Sequence, residues 1–380
     1  MDLVKGFNDY TGEEAEKRQK IKGILARTFR KYGFELAETP IIEYEEFVKG
    51  PENQAEDEAV SDIFKLKDKG NRALALRYEF TFQLKRTAKG RKLPYKRYQI
   101  GEVFRDEPVS SNRFRQITQC DVDIVGLSEI KAREEAEILT VTDNIFKQLK
   151  IPIKIFVGNR GLINEIIDEL KISKNRKQVL REIDKLDKLP EKEVKEKLKK
   201  LKAEKILQLL KKPESYFKKY PAYNEIENLK KYCSYYGVKI NFQPSLVRGL
   251  SYYNGNVFEI KTEKMKETIC GGGSYEINDL QCTGISFGLD RLSQLAKVTL
   301  DEERILLISL GKDKEALKLA EKLREREKDI TLYYGKPSKA LDYANSRGIK
   351  EVIFIGNEEV RKGKYKARDM GSGKESMVKL

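Results

Sequence analysis

The sequence predicts an α+β domain interrupted by a helical insertion and followed by a smaller α/β module. Three observations lead there. Short apolar runs separated by polar, turn-like stretches fill residues 34–157 and resume at 238–288, the texture of strands with a few flanking helices. Between them, residues 162–236 turn helical in periodicity and very basic. After Asp301-Glu302-Glu303 the rhythm becomes β-α-β-α-β, a compact unit of its own. A chain of 380 residues has room for two or three such domains. We place them at 1–300, with the insertion at about 162–236, and at 301–380.

In chain order, Glu13–Tyr32 reads as a helix, with Ile21, Ile24, Leu25 and Phe29 near helical spacing and Gly33 as its stop. Phe34–Ile42 is strand-like, with Pro40 near its end. Ile63–Leu66 and Ala73–Leu76 flank a polar Lys67–Asn71 connection, as in a hairpin. Tyr78–Thr87 is helix-compatible. Tyr98–Phe104 and Ile117–Val125 are strands around a polar loop, Arg105–Arg115, and a strongly amphipathic helix at Glu129–Leu149 precedes a strand at Ile153–Val157. Within the insertion, Glu191–Lys212 carries nine Lys against four Glu, with Val194, Leu198 and Leu201 as its apolar stripe. Its charged face suits either solvent or RNA. Strands return at Val238–Phe242, Val257–Thr262 and Thr268–Cys270, and Gly284–Gly288 leads into a helix from Leu289. The last module runs Arg304–Leu310, Lys314–Lys328, Ile330–Tyr334, Ser338–Arg347 and Val352–Ile355, then a basic tail, Arg361–Leu380.

Composition excludes several functional classes. The chain has no histidine, so Ser-His-Asp and Cys-His mechanisms are unavailable. The four cysteines form no C-x-x-C pair, and no metal site is expected from them. Charged residues make up 36% of the chain, against about 25% in average proteins. The net charge of +15 suits a polyanionic partner, and a Lys/Glu-rich thermophile surface would look the same. No apolar run approaches the roughly 18 residues of a membrane span, and the N-terminus lacks a signal-peptide core. A cytoplasmic location and no membrane partner are expected.

The richest segment is SLVRGLSYYNGNVFE, Ser245–Glu259. A fixed cation, Arg248, beside Gly249 and flanked by Tyr252 and Tyr253, suits an anion lying next to a flat polar ligand. On a strand the two tyrosines would face opposite ways, leaving Tyr253 as the ligand and Tyr252 in the core. Two further arginines sit where phosphates bind well: Arg105 in Phe104-Arg105-Asp106-Glu107 at a strand end, and Arg291 in the first turn of a helix behind Gly288. Each alone is weak. In this order, across an antiparallel framework, they resemble motifs 2 and 3 of the class II aminoacyl-tRNA synthetases. Lys5–Tyr10 and the helix-strand ending at Pro40 are similar to motif 1, the dimerising element. The Arg248–Tyr253 run narrows the resemblance to the histidyl-tRNA synthetases, and the likeness covers essentially the whole chain.

The resemblance implies an antiparallel class II catalytic sheet with flanking helices, a C-terminal anticodon-binding α/β domain, a homodimer, and L-histidine, ATP with Mg²⁺ and tRNA(His) as ligands. It assigns Arg105 and Arg248 to the α-phosphate and Arg291 to the γ-phosphate, with Glu107 and Arg113 at the ATP site. Leu76–Thr81 resembles the family's LRPEGT, so Glu79 and Thr81 would grip the histidine ammonium. Gln119 would contact the amino-acid end, Asp123 with Tyr253 would read the imidazole nitrogens, Tyr252 would stand at the histidine site beside them, and Tyr275 of Gly-Gly-Gly-Ser-Tyr-Glu would close the pocket. Thr81 reads equally as a helix-start hydroxyl, one of Asp121 and Asp123 as a surface charge, and Gly271–Gly273 as a tight turn. Ser251, Ser274 and Ile117 depart from the family pattern, and Ile117 leaves adenine stacking to another side chain or to aliphatic contact. The rival reading is a non-catalytic relative such as an ATP phosphoribosyltransferase regulatory subunit, which shares the catalytic fold but lacks the C-terminal module.

Overall fold

Ten-residue strands that alternate apolar and polar side chains need two unlike faces. The computed structural model, which describes residues 2–49, 62–110, 113–172, 175–187, 189–247, 252–300 and 304–380, supplies both in the first of its two units, Met1–Val298. Here β1 (Glu35–Leu36), β5 (Tyr95–Phe104), β6 (Gln116–Val125), β7 (Lys154–Asn159), β8 (Ile240–Phe242), β9 (Tyr253–Thr262), β10 (Met265–Ile277) and β11 (Leu280–Gly288) form one sheet. Its order is β1-β5-β6-β11-β10-β9-β7-β8. The six central strands are antiparallel, and only the outer pairs β1–β5 and β7–β8 are parallel.

Strand β6 shows how the sequence sorts the faces. Cys120, Val122 and Ile124 are buried in the main core, under helices α1 (Gly12–Lys31), α4 (Ala132–Gln148) and α11 (Leu289–Leu295). The alternate residues Gln119, Asp121 and Asp123 point to the other face, where they are also buried. Phe29, Phe146 and Phe287 pack together on the helix side, with centroids 6.0 Å apart in each contact with Phe287. Truncating one such ring typically costs about 3–5 kcal/mol, so this layer fixes the register that the polar face depends on.

Several boundaries differ from the sequence reading for local reasons. The expected strand Phe34–Ile42 is split: β1 ends at Leu36, and β2 (Ile42–Tyr44) joins a separate three-stranded sheet in the order β2-β4-β3 with β3 (Lys65–Lys67) and β4 (Ala73–Leu76). Pro40 between them has no N–H for a ladder. Helix α3 (Thr81–Thr87) starts at Thr81, not Tyr78, leaving Glu79 in the connection that precedes it. Gly271–Gly273 is not a turn but the middle of β10. Added at Gly272, a Cβ would sit 1.9 Å from the Gly284 carbonyl oxygen, so close strand contact explains this glycine.

The insertion folds as short helices: α5 (Arg160–Glu169), α6 (Arg176–Asp184), α7 (Glu191–Lys200), α8 (Ile206–Leu210), α9 (Glu214–Phe217) and α10 (Tyr223–Tyr235). Pro190 and Pro213 stand at helix starts, and Lys202, with φ of 57°, breaks the expected Glu191–Lys212 helix in two. Val194 and Leu198 are buried as expected, whereas Leu201 is half-buried. These helices have their own core, but α10 belongs to both: Tyr223 and Ile226 pack in the insertion, Leu229 and Cys233 in the main core.

The second unit, Thr299–Leu380, is a five-stranded sheet in the order β13-β12-β14-β15-β16: Ile330–Tyr334, Ile305–Ser309, Glu351–Ile355, Tyr365–Asp369 and Glu375–Val378. The first three are parallel and read as near-continuous apolar runs because helices cover both faces. Ile305 and Leu307 pack with α12 (Asp313–Arg324), and Leu306 and Ile308 with α13 (Pro337–Ser346). The basic tail is not a loose end. After α14 (Asn357–Lys362) it forms the antiparallel pair β15–β16, which ion pairs such as Lys366–Glu375 (2.8 Å) tie across the ladder.

Candidate functional site

The polar face of the large sheet floors a cleft of about 280 Å³. Every site residue expected from the sequence lines it except Arg248, which lies with Gly249, Leu250 and Ser251 outside the described residues. The cleft has two chemically distinct ends.

At one end arginines converge. Arg105 immediately follows β5, its guanidinium 4.5 Å from the centroid of the Tyr78 ring. Its Nη2 donates to Gln119 Oε1 at 3.1 Å. Arg113 pairs with Glu107 at 2.9 Å. Arg291, in the first turn of α11, donates to the Thr268 carbonyl at 2.5 Å. Burial pushes the Arg291 guanidinium below its ordinary pKa, and the charges of Arg105 and Arg113 push the same way. Cations held this close favour an anion between them. Ile117 and Phe114 also line the cleft.

At the other end carboxylates and phenols gather. Burial, helped by the charge of Asp121, pushes Glu79 up to about 7. Tyr252 donates to Glu79 Oε2 at 3.5 Å, and Thr81 hydrogen-bonds Glu79 as well. Asp123 is held by the Tyr275 hydroxyl, which donates to Oδ1, and by Arg97, whose Nη2 lies 3.0 Å from Oδ2. Burial raises the pKa of both Asp121 and Asp123, and Arg97 between them opposes it. Tyr252, Tyr253 and Tyr275 form a three-ring wall, with centroids 4.8, 5.7 and 6.4 Å apart. Among the described residues, Glu79 Oε1 and Arg105 Nε are buried without a hydrogen-bond partner. Buried orphan atoms facing a cleft are what a polar ligand completes.

Two expectations are corrected here. Neither Asp121 nor Asp123 is a surface charge: each is 6% exposed and lines the cleft. Nor does one tyrosine of the pair leave the site, because Tyr252 precedes β9 and escapes strand alternation, so both rings reach the cleft. Sequence reasoning missed Arg97, which is 1% exposed and sits opposite Asp123 in the β5–β6 register. Its signal was present in Tyr95-Lys96-Arg97-Tyr98-Gln99, but pairing it with Asp123 requires the register across the Arg105–Arg115 loop. Gly284 was missed too: a Cβ there would sit 2.0 Å from Asp123 Oδ1.

Among the described residues no group of three or more Asp, Glu or Cys side chains is placed to hold a metal ion. No helix among them is long and apolar enough to cross a membrane.

Comparison with known proteins agrees with this arrangement. A family model described as histidyl-tRNA synthetase matches residues 6–292, and one described as an anticodon-binding domain matches residues 304–380. Histidine–tRNA ligase 1 of Bacillus cereus is 33% identical over 100% of this chain and 98% of its own length. The crystal structure of histidyl-tRNA synthetase from a Nostoc species superposes with a TM-score of 0.85 at 23% identity, over 100% of this chain and 96% of that one. A Bacillus halodurans structure described as an ATP phosphoribosyltransferase regulatory subunit/histidyl-tRNA synthetase reaches 0.77 at 22% identity, over 93% of this chain and 98% of that one. With a family match across most of the catalytic unit and a full-length relative at 33% identity, the chain belongs to the histidyl-tRNA synthetase family, within the class II aminoacyl-tRNA synthetases.

Proposed function

We propose that this chain activates L-histidine with ATP and transfers it to the 3′ end of tRNA(His). One observation carries the reading: a single cleft joins an arginine end to a carboxylate-phenol end, with Gln119 hydrogen-bonded across the junction. ATP phosphates fit the first end and an ammonium and imidazole the second.

The chemistry needs no protein base. The histidine carboxylate is ionised at neutral pH. It attacks the α-phosphorus, the bond to the bridging oxygen of pyrophosphate breaks, and histidyl-adenylate remains. Arg105 and Arg248 stabilise charge building on the α-phosphate, and Arg291 holds the γ-phosphate. Glu107 keeps Arg113 in place through their 2.9 Å ion pair, and Arg113 faces the nucleotide. Glu79 with Thr81 takes the ammonium. Gln119 lies at the amino-acid end, Asp123 with Tyr253 reads the ring, and Tyr252 and Tyr275 wall the pocket. In the second step the terminal ribose hydroxyl of tRNA attacks the histidyl carbonyl, AMP leaves, and a phosphate oxygen of the adenylate takes the proton. The described residues offer no protein cage for Mg²⁺, and this cation commonly travels on substrate phosphates with few protein ligands. We therefore assign it to the nucleotide.

Residues 301–380 are read as the anticodon-binding domain on a catalytic domain of 1–300. The exposed Leu36, Ile41, Ile42 and Tyr44 near the sheet edge support a homodimer. A cytoplasmic enzyme of translation follows. The regulatory-subunit alternative is weaker, because Glu79, Arg105 and Arg291 all converge on the cleft.

Proton release gives one check. The free Glu79 carboxyl, near 7, is partly protonated at neutral pH. A bound ammonium requires its carboxylate, so histidine binding should release a fraction of a proton at pH 7 and less at pH 8.5. Calorimetry in buffers of different ionisation enthalpy measures this, and proton uptake at pH 7 would contradict the assignment of Glu79. The direct test of function is charging: with ATP and tRNA(His), the purified protein should attach labelled histidine to the tRNA. Absence of charging would leave the regulatory reading.

A further inference from the structure

Asp121 has no place in the roles above, yet it lies on the floor of the cleft between its two ends. We propose that Asp121 is a positioning residue. It fixes which way the Gln119 amide faces and, through Gln119, holds the Arg105 guanidinium over the reacting phosphate. This rests on the amino-acid activation proposed above.

The geometry is a relay. Gln119 and Asp121 are two residues apart on β6 and share its cleft face. Gln119 Nε2 donates to both Asp121 carboxylate oxygens, at 2.9 and 3.1 Å. Its Oε1 accepts from Arg105 Nη2 at 3.1 Å. An amide nitrogen only donates and its oxygen only accepts, while an ionised carboxylate only accepts and a guanidinium only donates. With Asp121 present, a single orientation of the amide satisfies both neighbours. The reverse would set two donors against each other at Arg105 and two acceptors against each other at Asp121.

Asp121 is itself held from both sides. The Ser286 hydroxyl on β11, opposite Asp121 in the ladder, hydrogen-bonds it, and the buried Arg97 on β5 attracts it. Arg105 has less support. Its Tyr78 contact places the guanidinium carbon 4.5 Å from the ring centroid and supplies no hydrogen bond, and its Nε has no hydrogen-bond partner among the described residues. The side-chain hydrogen bond from Nη2 to Gln119 therefore sets the rotation of the fork, and a fork must be aligned to grip phosphate oxygens.

Three variants test the relay by histidine-dependent ATP–pyrophosphate exchange, with thermal unfolding alongside. Asp121→Ala should lower kcat by about ten- to a hundredfold, as expected for loss of a hydrogen bond to a charged group. Gln119→Ala should do the same, and the double variant should be no worse than Gln119→Ala alone, because the two residues act in series. Asp121→Asn, which keeps an oxygen to accept from Gln119 but removes the charge, should recover most of the rate. If the two alanine effects multiply, or if Asn is as poor as Ala, Asp121 acts directly or structurally and the relay is wrong.

A readout without activity separates this from the function itself. In ¹⁵N-labelled protein without substrate, Asp121→Ala should shift both the Gln119 side-chain amide and the Arg105 Nε–H resonances, identified with Gln119→Ala and Arg105→Lys. An unmoved Arg105 resonance overturns the relay whatever the enzyme does. A wild-type protein without histidine-dependent exchange overturns the function and leaves this spectroscopic test in force.

Discussion

Arg105→Ala is expected to lower histidine-dependent ATP–pyrophosphate exchange by about 10²–10³-fold, the usual cost of removing one donor aimed at transition-state charge. The loss should fall mainly on kcat, because the charge that Arg105 meets on the α-phosphate grows as the carboxylate attacks. The Michaelis constant for histidine should move much less, since Glu79 and Asp123 at the other end are untouched. Arg105→Lys keeps the charge but not the planar fork, and it cannot both accept the geometry of Gln119 and grip two phosphate oxygens. It should recover only a small part of the rate. Stability should change little, because the Arg105 side chain lines a cleft and is not part of the apolar core. Steady-state exchange kinetics on the two variants decide this. A near-wild-type kcat for Arg105→Ala would show that the arginine end does not face the reacting phosphorus.

Gly284→Ala is expected to damage the opposite end. Its added methyl would lie 2.0 Å from Asp123 Oδ1, 2.7 Å from Asp123 Cγ and 2.9 Å from the Val122 carbonyl oxygen. Asp123 cannot retreat, because Tyr275 holds one oxygen and Arg97 lies 3.0 Å from the other. Overpacking of this kind costs about 1–3 kcal/mol of stability. Mispositioning one partner of a charged hydrogen bond should raise the Michaelis constant for histidine by about ten- to a hundredfold. The Michaelis constant for ATP should hold, which distinguishes this variant from Arg105→Ala. Denaturant unfolding and exchange kinetics together test it. Unchanged stability with unchanged histidine affinity would mean that Asp123 is not pinned as described.

The two ends were not equally legible. Arg105, Arg291 and the Arg248–Tyr253 run sit at element ends or in short motifs, where local sequence carries the signal. Glu79 and Thr81 came with them through a six-residue likeness. The C-terminal module was readable because parallel strands buried on both faces are continuous apolar runs, as in Ile305–Ser309. What stayed hidden depends on pairing. Arg97 meets Asp123 only through the β5–β6 register, and Asp121 looks like a surface charge until β11 covers it from the other side. Gly284 seems interchangeable until the strand beside it is known. The basic tail hid a hairpin because β15 is only half-buried and interleaved with charges, and β16 is mostly exposed. Their pairing rests on the ladder to β14 and on cross-strand charges, neither of which a single segment reveals.

The most direct measurement is ATP–pyrophosphate exchange by the purified protein with each standard amino acid in turn. Histidine alone should support exchange, with every other amino acid at background, because only an imidazole beside an ammonium meets Asp123, Glu79 and the tyrosine wall together. Exchange driven by a different amino acid, or none with histidine, would contradict the assignment of this cleft.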